Sequence, residues 1–138
     1  MDCVMSTALL SELVAIAARD PGREICGLLL GAKDHVTAFR LAENVSRTPE
    51  IAFEIDPALL LATHRAARAA GALQLVGYFH SHPSGDADPS ARDAQQAQPD
   101  GALWLILAGG GARLWRSVEA GAVHGRFDQV TIIEDMPV

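Results

Sequence analysis

Apolar and polar positions along the chain follow two periods, one typical of strands and the other typical of helices. Short runs that are almost uniformly apolar, such as residues 24–31 and 73–79, indicate buried strands. Lys33-Asp34 separates the first run from another apolar segment, which predicts a hairpin. We predict strands at 2–5, 24–31, 35–41, 51–55, 73–79, 102–108, 112–117 and 129–134.

Three segments have the period and the boundary residues of helices. The first begins behind Ser6, has apolar residues three and four positions apart, and ends at Asp20-Pro21-Gly22. A second segment lies between Asp56-Pro57 and Gly71, and its nearly all-apolar surface predicts packing against a sheet. A third helix is expected to begin after Ser90.

The order of these elements predicts an α/β fold. A strand, a helix and another strand in succession form a layered unit, and 138 residues are enough for one such domain, 1–138. With 49% hydrophobic and 20% charged residues, the composition is that of a globular protein. We therefore expect a single domain.

Charge and hydropathy exclude several classes of partner. The net charge is −6, and the basic residues are scattered singly, so no positive stripe is available for nucleic acid. No apolar run approaches the roughly 20 residues that cross a membrane, and an acid occupies the place where a signal peptide carries bases. We expect a cytoplasmic protein.

Cys3 and Cys26 form neither a C-x-x-C motif nor a disulfide framework, and small buried side chains are the simplest interpretation of both.

His80 and His82 stand where an apolar strand ends, and they suggest a metal site. Alternate side chains of an extended backbone point to the same side, so both imidazoles can reach one ion. A catalytic zinc ion takes three protein ligands and keeps one open position. Asp93 follows a short turn-rich loop and is the third ligand that we predict.

Ser90 and Glu24 complete the predicted site. Ser90 lies three positions before Asp93 on the same helix face, where its hydroxyl can donate to an oxyanion. Glu24 opens a buried strand and is the best placed acid to act as the general base. Each feature also has a simpler interpretation. His-x-His pairs occur on surfaces, Ser90-x-x-Asp93 satisfies a capping box, and Glu24 fits a solvated strand end.

Taken together, the motifs resemble those of a known family. Glu24 within Glu-x-Cys-Gly-Leu-Leu-x-Gly, His80-x-His82-Pro83 and Pro89-Ser90-x-x-Asp93 look like the JAMM motif of the MPN-domain metalloproteases. The resemblance implies a cytidine-deaminase-like mixed β-sheet flanked by helices. It also implies one zinc ion per chain on His80, His82 and Asp93, with Glu24 as general acid/base and Ser90 holding the tetrahedral intermediate.

The resemblance further implies a substrate class. Family members hydrolyse amide or isopeptide bonds after the C-terminal Gly-Gly of ubiquitin-like proteins, and the short chain looks like the compact prokaryotic members that act on sulfur-carrier proteins. An extended substrate tail is expected to bind near residues 44–53. Two alternatives stay open: a RadC-like protein associated with DNA repair, and a non-catalytic binding or scaffold module. The oligomeric state, the carrier protein and the role of Cys26 are left open by these patterns.

Overall fold

The computed structural model describes residues 1–135, so the last three residues of the predicted domain lie outside the described range. The predicted order of strands and helices is confirmed, apart from the strand at 51–55. The elements are β1 (Asp2–Ser6), α1 (Thr7–Arg19), β2 (Cys26–Ala32), β3 (His35–Ala42), α2 (Pro57–Ala66), β4 (Gln74–Ser81), α3 (Ala91–Gln96), β5 (Leu103–Ala108), β6 (Gly111–Gly121) and β7 (Gly125–Asp135). All three helix starts have the predicted caps, Ser6, Asp56 and Ser90.

The seven strands form a mixed sheet that closes into a barrel, in the order β1-β3-β2-β4-β5-β6-β7. β1 runs parallel to both β3 and β7, and β4 runs parallel to β5, whereas the other pairs are antiparallel. The mixed α/β class is therefore confirmed. The finer likeness to cytidine deaminases stays a prediction.

The central strand β4 is covered on both faces, which explains why its sequence is apolar without alternation. Phe79 belongs to a core cluster on the side of α1, and Tyr78 packs against a second cluster that contains Trp104. β4 also lies very close to β5. A Cβ atom at Gly77 would lie 2.1 Å from the Leu103 carbonyl oxygen, so only glycine fits there.

The predicted strand at 51–55 is wrong, because a side chain takes the hydrogen bonds that a strand would need. The Asn44 amide bonds to the Ala52 carbonyl and the Glu54 N–H, and only an isolated bridge joins Asn44 to Ile55. Phe53 and Ile55, which alternate along this segment, are nevertheless both buried.

The helix α2 is more exposed than predicted. Thr63 is its one buried residue, and Leu61 is 51% exposed. The segment is rich in alanine, which favours a helix but contributes little apolar area to packing, so its all-apolar pattern overstated the contact with the sheet. Within residues 1–135, no helix is long and apolar enough to cross a membrane.

Candidate metal centre

His80 and His82 lie at the end of β4, as the alternation predicted. His80 pairs with Cys26 of β2 on one side and with Ile106 of β5 on the other, so its ring is completely buried. His82 follows the strand directly, and its N–H donates to the Leu107 carbonyl at 2.9 Å, which continues the pairing. The Nε2 atoms of the two imidazoles lie 3.1 Å apart.

The capping box at the start of α3 brings Asp93 to these histidines. Ser90 Oγ accepts from the Asp93 N–H, and Asp93 Oδ2 accepts from the Ser90 N–H, both at 3.0 Å. The same Oδ2 atom lies 3.2 Å from His80 Nε2 and 3.1 Å from His82 Nε2. Asp93 thus caps the helix and faces the histidines at the same time, because the capping box holds its carboxylate towards the two imidazoles.

Glu24 lies beside these three residues although it precedes them by more than fifty positions. Its side chain is only 5% exposed, and one ligand-capable atom from each of Glu24, His80 and His82 lies within 4.8 Å of the others. Among the hydrogen bonds of residues 1–135, none involves the Glu24 carboxylate, and Oε1 is buried without a partner. Burial raises the pKa of Glu24 to about 7, and the nearby Asp93 carboxylate acts in the same direction.

The donor atoms of His80, His82 and Asp93 fit a metal ion. Their mutual distances of 3.1–3.2 Å are close to the roughly 3.3 Å that separates ligands around a tetrahedral zinc ion with bonds near 2.0 Å. His82 Nδ1 donates to the Asp86 carbonyl at 2.6 Å, so a neutral His82 turns an Nε2 lone pair towards the Asp93 oxygen. Two lone pairs at this distance repel each other unless a proton or a cation lies between them.

Burial and hydrogen bonding have opposite effects on the pKa values of His80, His82 and Asp93. Burial lowers the pKa of His80. Burial also opposes the charge on His82, but the hydrogen bonds to Asp93 and to the Asp86 carbonyl outweigh it and raise the pKa. Asp93 is desolvated too, yet its hydrogen bonds to both histidines hold the pKa of the carboxyl well below its usual range. Asp93 is therefore an anion facing two imidazoles, as a cation site requires.

Two aromatic side chains that the sequence patterns did not single out orient His80. The Phe53 ring stacks on the imidazole with 4.4 Å between ring centroids and 23° between ring planes. Trp104 contacts the same imidazole edge-on, with its centroid 5.6 Å away. The contact of Phe53 with His80 was not predictable, because the loop that carries Phe53 has no strand register.

The loop between His82 and Ser90 is held by residues of β6 and of the turn between β6 and β7. Trp115 Nε1 donates to the Ala87 carbonyl at 3.1 Å, and Arg113 forms an ion pair of 2.6 Å with Asp88. His124 Nε2 lies 3.1 Å from the Pro89 carbonyl oxygen. Sequence reasoning missed these contacts, since they join residues that lie 25 to 35 positions apart in the chain.

A cleft of about 150 Å³ opens the centre to solvent. It is lined by Glu24, Glu50, Ile51, His82, Pro83, Ser84 and Ser90. Cys26 pairs with His80 across the strands but is completely buried in the apolar cluster, and its thiol donates to the Ala42 carbonyl at 3.9 Å. The interpretation of Cys26 as a small core residue agrees with this position.

A family described as prokaryotic homologs of the JAB domain (Prok-JAB) matches residues 6–118. The chain belongs to this family. All four of the charged or imidazole side chains around the centre lie within the matched range, and so does Ser90.

Three curated relatives of this Prok-JAB chain are named as desampylases or as a probable conjugate-cleaving protease. A desampylase from Haloferax volcanii is 39% identical over 103 residues, which are 73% of each chain. A second desampylase, from Pyrococcus furiosus, is 33% identical over 61% of this chain and 59% of its own length. A probable TtuB-protein conjugate cleaving protease from Thermus thermophilus is 37% identical over 65% of this chain and 60% of its own length.

Solved structures share the fold over the whole chain. A protein of Desulfitobacterium hafniense has a TM-score of 0.77 and 25% identity, and the match covers 100% of this chain and 95% of that protein. A JAB1/MPN domain protein from Archaeoglobus fulgidus has a TM-score of 0.60 over 97% of this chain and 100% of its own. With 19% identity, the second likeness concerns the fold alone.

Proposed function

We propose that this Prok-JAB chain is a zinc-dependent hydrolase that cleaves amide or isopeptide bonds after the C-terminal Gly-Gly of ubiquitin-like or sulfur-carrier proteins. The observation that carries the proposal is the Glu24 carboxylate, whose Oε1 is buried without a partner in residues 1–135, beside the three mutually facing donor atoms of His80, His82 and Asp93. The names of the relatives, desampylase and TtuB-protein conjugate cleaving protease, support the substrate class.

In this proposal His80, His82 and Asp93 hold the metal, because imidazole nitrogens and a carboxylate oxygen are the ligands that a catalytic zinc ion takes. Zinc bound there supplies Lewis-acid chemistry, which makes water nucleophilic near neutral pH and polarises the scissile carbonyl. The Asp86 carbonyl fixes the His82 tautomer that presents Nε2, and Phe53 fixes the plane of the His80 ring.

Glu24 moves the proton. A general base needs a pKa near the working pH, and in the metal-free protein burial raises the pKa of Glu24 to about 7. The carboxylate accepts a proton from the attacking water and returns it to the amine as the C–N bond breaks. Its burial also favours catalysis over a scaffold role, because an unpaired buried carboxyl destabilises a fold.

Ser90 stabilises the oxyanion. Its Oγ accepts from the Asp93 N–H, so the hydroxyl proton is free to donate to the carbonyl oxygen of the substrate. The side chain lines the cleft opposite Glu50 and Ile51, which belong to the segment 44–53 where we expect the substrate tail.

The test is cleavage of a ubiquitin-like protein that carries a short peptide after Gly-Gly, with an Ala-Ala version as the matched control. We expect the zinc-loaded protein to release the peptide from the Gly-Gly substrate, as seen by mass spectrometry, and a chelator to stop the release. Cleavage that is equally fast with the chelator would contradict a metal-dependent reaction, and equal rates on both substrates would contradict the Gly-Gly preference.

A further inference from the structure

Asn44 connects the segment that carries Glu24 with the loop that follows β3. Its Nδ2 donates to the Glu24 carbonyl and to the Ala52 carbonyl, both at 2.9 Å. Its Oδ1 accepts from the N–H groups of Ser46 at 3.0 Å and Glu54 at 3.1 Å. All hydrogen-bonding positions of the amide are therefore used, which only asparagine can do in this geometry.

The Glu24 side chain depends on its backbone for its position. Its carboxylate forms no hydrogen bond with residues 1–135, so nothing polar restrains it directly. The backbone is restrained on both sides. The Glu24 N–H donates to the Pro49 carbonyl at 2.7 Å, and the Ile25 N–H donates to Ser81 Oγ at 2.8 Å. Asn44 supplies the remaining restraint, on the Glu24 carbonyl itself.

The second donor bond of Asn44 reaches the other side of the centre. Ala52 directly precedes Phe53, whose ring stacks on the His80 imidazole. One side-chain amide thus fixes the backbone next to Phe53 and the backbone of Glu24 at the same time. The amide therefore links the backbone that carries the Glu24 carboxylate to the loop that packs against His80.

We propose that Asn44 is a positioning residue for hydrolysis, which holds the Glu24 carboxylate at its working distance from the histidine cluster. This inference rests on the proposed function, because it assigns Asn44 to the reaction in which Glu24 transfers the proton. Asn44 acts through Glu24 and Phe53 and touches neither the metal ligands nor the scissile bond.

The variant Asn44→Asp tests the proposal with little change in shape. The new carboxylate keeps the acceptor oxygen but places a second oxygen against the carbonyls of Glu24 and Ala52, so two hydrogen bonds become repulsions. A misplacement of a catalytic group by about 1 Å costs on the order of 100-fold in rate. We expect kcat to fall about 10- to 100-fold, with KM changed less than about twofold and with about one zinc ion still bound per chain.

Gln74→Glu is the matched control. Gln74 Nε2 also donates to two carbonyls, those of Ala67 at 2.9 Å and Ala72 at 3.2 Å. It lies at the opposite end of β4, six residues before His80, which is about 20 Å along a strand. The same chemical change there should leave kcat within about twofold of wild type.

Amide hydrogen exchange, followed by NMR, provides a readout that does not need activity. Asn44 is the only asparagine in the chain, so its side-chain amide is simple to assign. In wild type we expect its protons to exchange slowly, and in Asn44→Asp we expect faster exchange at the Glu24 and Ala52 backbone amides. If Asn44→Asp does not fold, the same measurements are made on Asn44→Ala, together with the exchange of the Asn44 side-chain amide in wild type.

The outcomes separate the two proposals. Lower kcat with retained zinc and faster exchange at Glu24 supports the positioning role. Unchanged kcat, unchanged exchange, or an equal loss in Gln74→Glu overturns it. If wild type cleaves no carrier-protein substrate, the proposed function fails, and the exchange measurements alone decide whether Asn44 restrains Glu24.

Discussion

Replacing Glu24 by glutamine should stabilise the metal-free protein at alkaline pH. Glu24 is 5% exposed, its Oε1 has no hydrogen-bond partner within residues 1–135, and burial raises its pKa from 4.5 to about 7. The unfolded chain therefore releases this proton near pH 4.5, whereas the folded protein retains it until about pH 7. Stability falls as the pH rises through this window, and the loss is complete above it.

The size of the effect follows from the same shift. A pKa raised from 4.5 to about 7 corresponds to roughly 3 kcal/mol of destabilisation once the group is ionised. The buried amide of Glu24→Gln gains no partner either, and an unsatisfied donor costs about 1 kcal/mol or more. We expect a net gain of about 2 kcal/mol at pH 8 and little or no gain at pH 4.

Urea denaturation of the chelator-treated protein between pH 4 and pH 8 measures this difference. Glu12→Gln makes the same chemical change on an exposed face of α1 and should alter the free energy of unfolding by no more than about 0.5 kcal/mol. The reasoning that burial sets this pKa would be refuted if the free energy of unfolding gained by Glu24→Gln did not grow with pH. It would also be refuted if the variant were less stable than wild type at pH 8.

Three further predictions concern the metal, the thiols and the packing of the barrel. His82→Ala should abolish zinc binding, measured by elemental analysis. It should also abolish the stabilisation of wild type by zinc, which is about 2.7 kcal/mol when free zinc is at 100 times Kd and is seen as a rise in melting temperature. Cys3 and Cys26 are completely buried, and burial raises the pKa of Cys26 to about 12, so Ellman's reagent should label neither thiol before denaturation and both after it. Gly77→Ala should destabilise the fold by about 1–3 kcal/mol or more, because its Cβ would lie 2.1 Å from a carbonyl oxygen of the neighbouring strand. Chemical denaturation measures the free energy of unfolding, and a value equal to that of wild type would contradict this close approach.

The geometry at the end of β4 was predictable because it follows from local rules. Alternation along a strand places His80 and His82 on one side, and the Ser90-x-x-Asp93 capping box fixes the carboxylate within a single turn. Both rules act over a few residues, so the pattern alone was sufficient. The proximity of Glu24 rested instead on the resemblance of the motifs and on the expected strand.

Other features depend on contacts between distant residues and were not predictable. β1 closes the barrel through a parallel pairing with β7, which joins the two ends of the chain and leaves no local signal. The segment 51–55 has a strand-like pattern, but the Asn44 side chain captures its backbone groups. The stacking of Phe53 on His80 follows from that loop conformation. In each case a tertiary contact decided between conformations that the local sequence allowed.

The most direct test of the central claim compares zinc content and turnover in Glu24→Gln and Asp93→Ala. We predict that Glu24→Gln keeps about one zinc ion per chain and cleaves a Gly-Gly carrier-protein substrate at least about 100-fold more slowly than wild type, because a general base contributes about that factor or more. Asp93→Ala should lose both zinc and activity. Wild-type turnover in Glu24→Gln, or full zinc content in Asp93→Ala, would contradict the assignment of the centre.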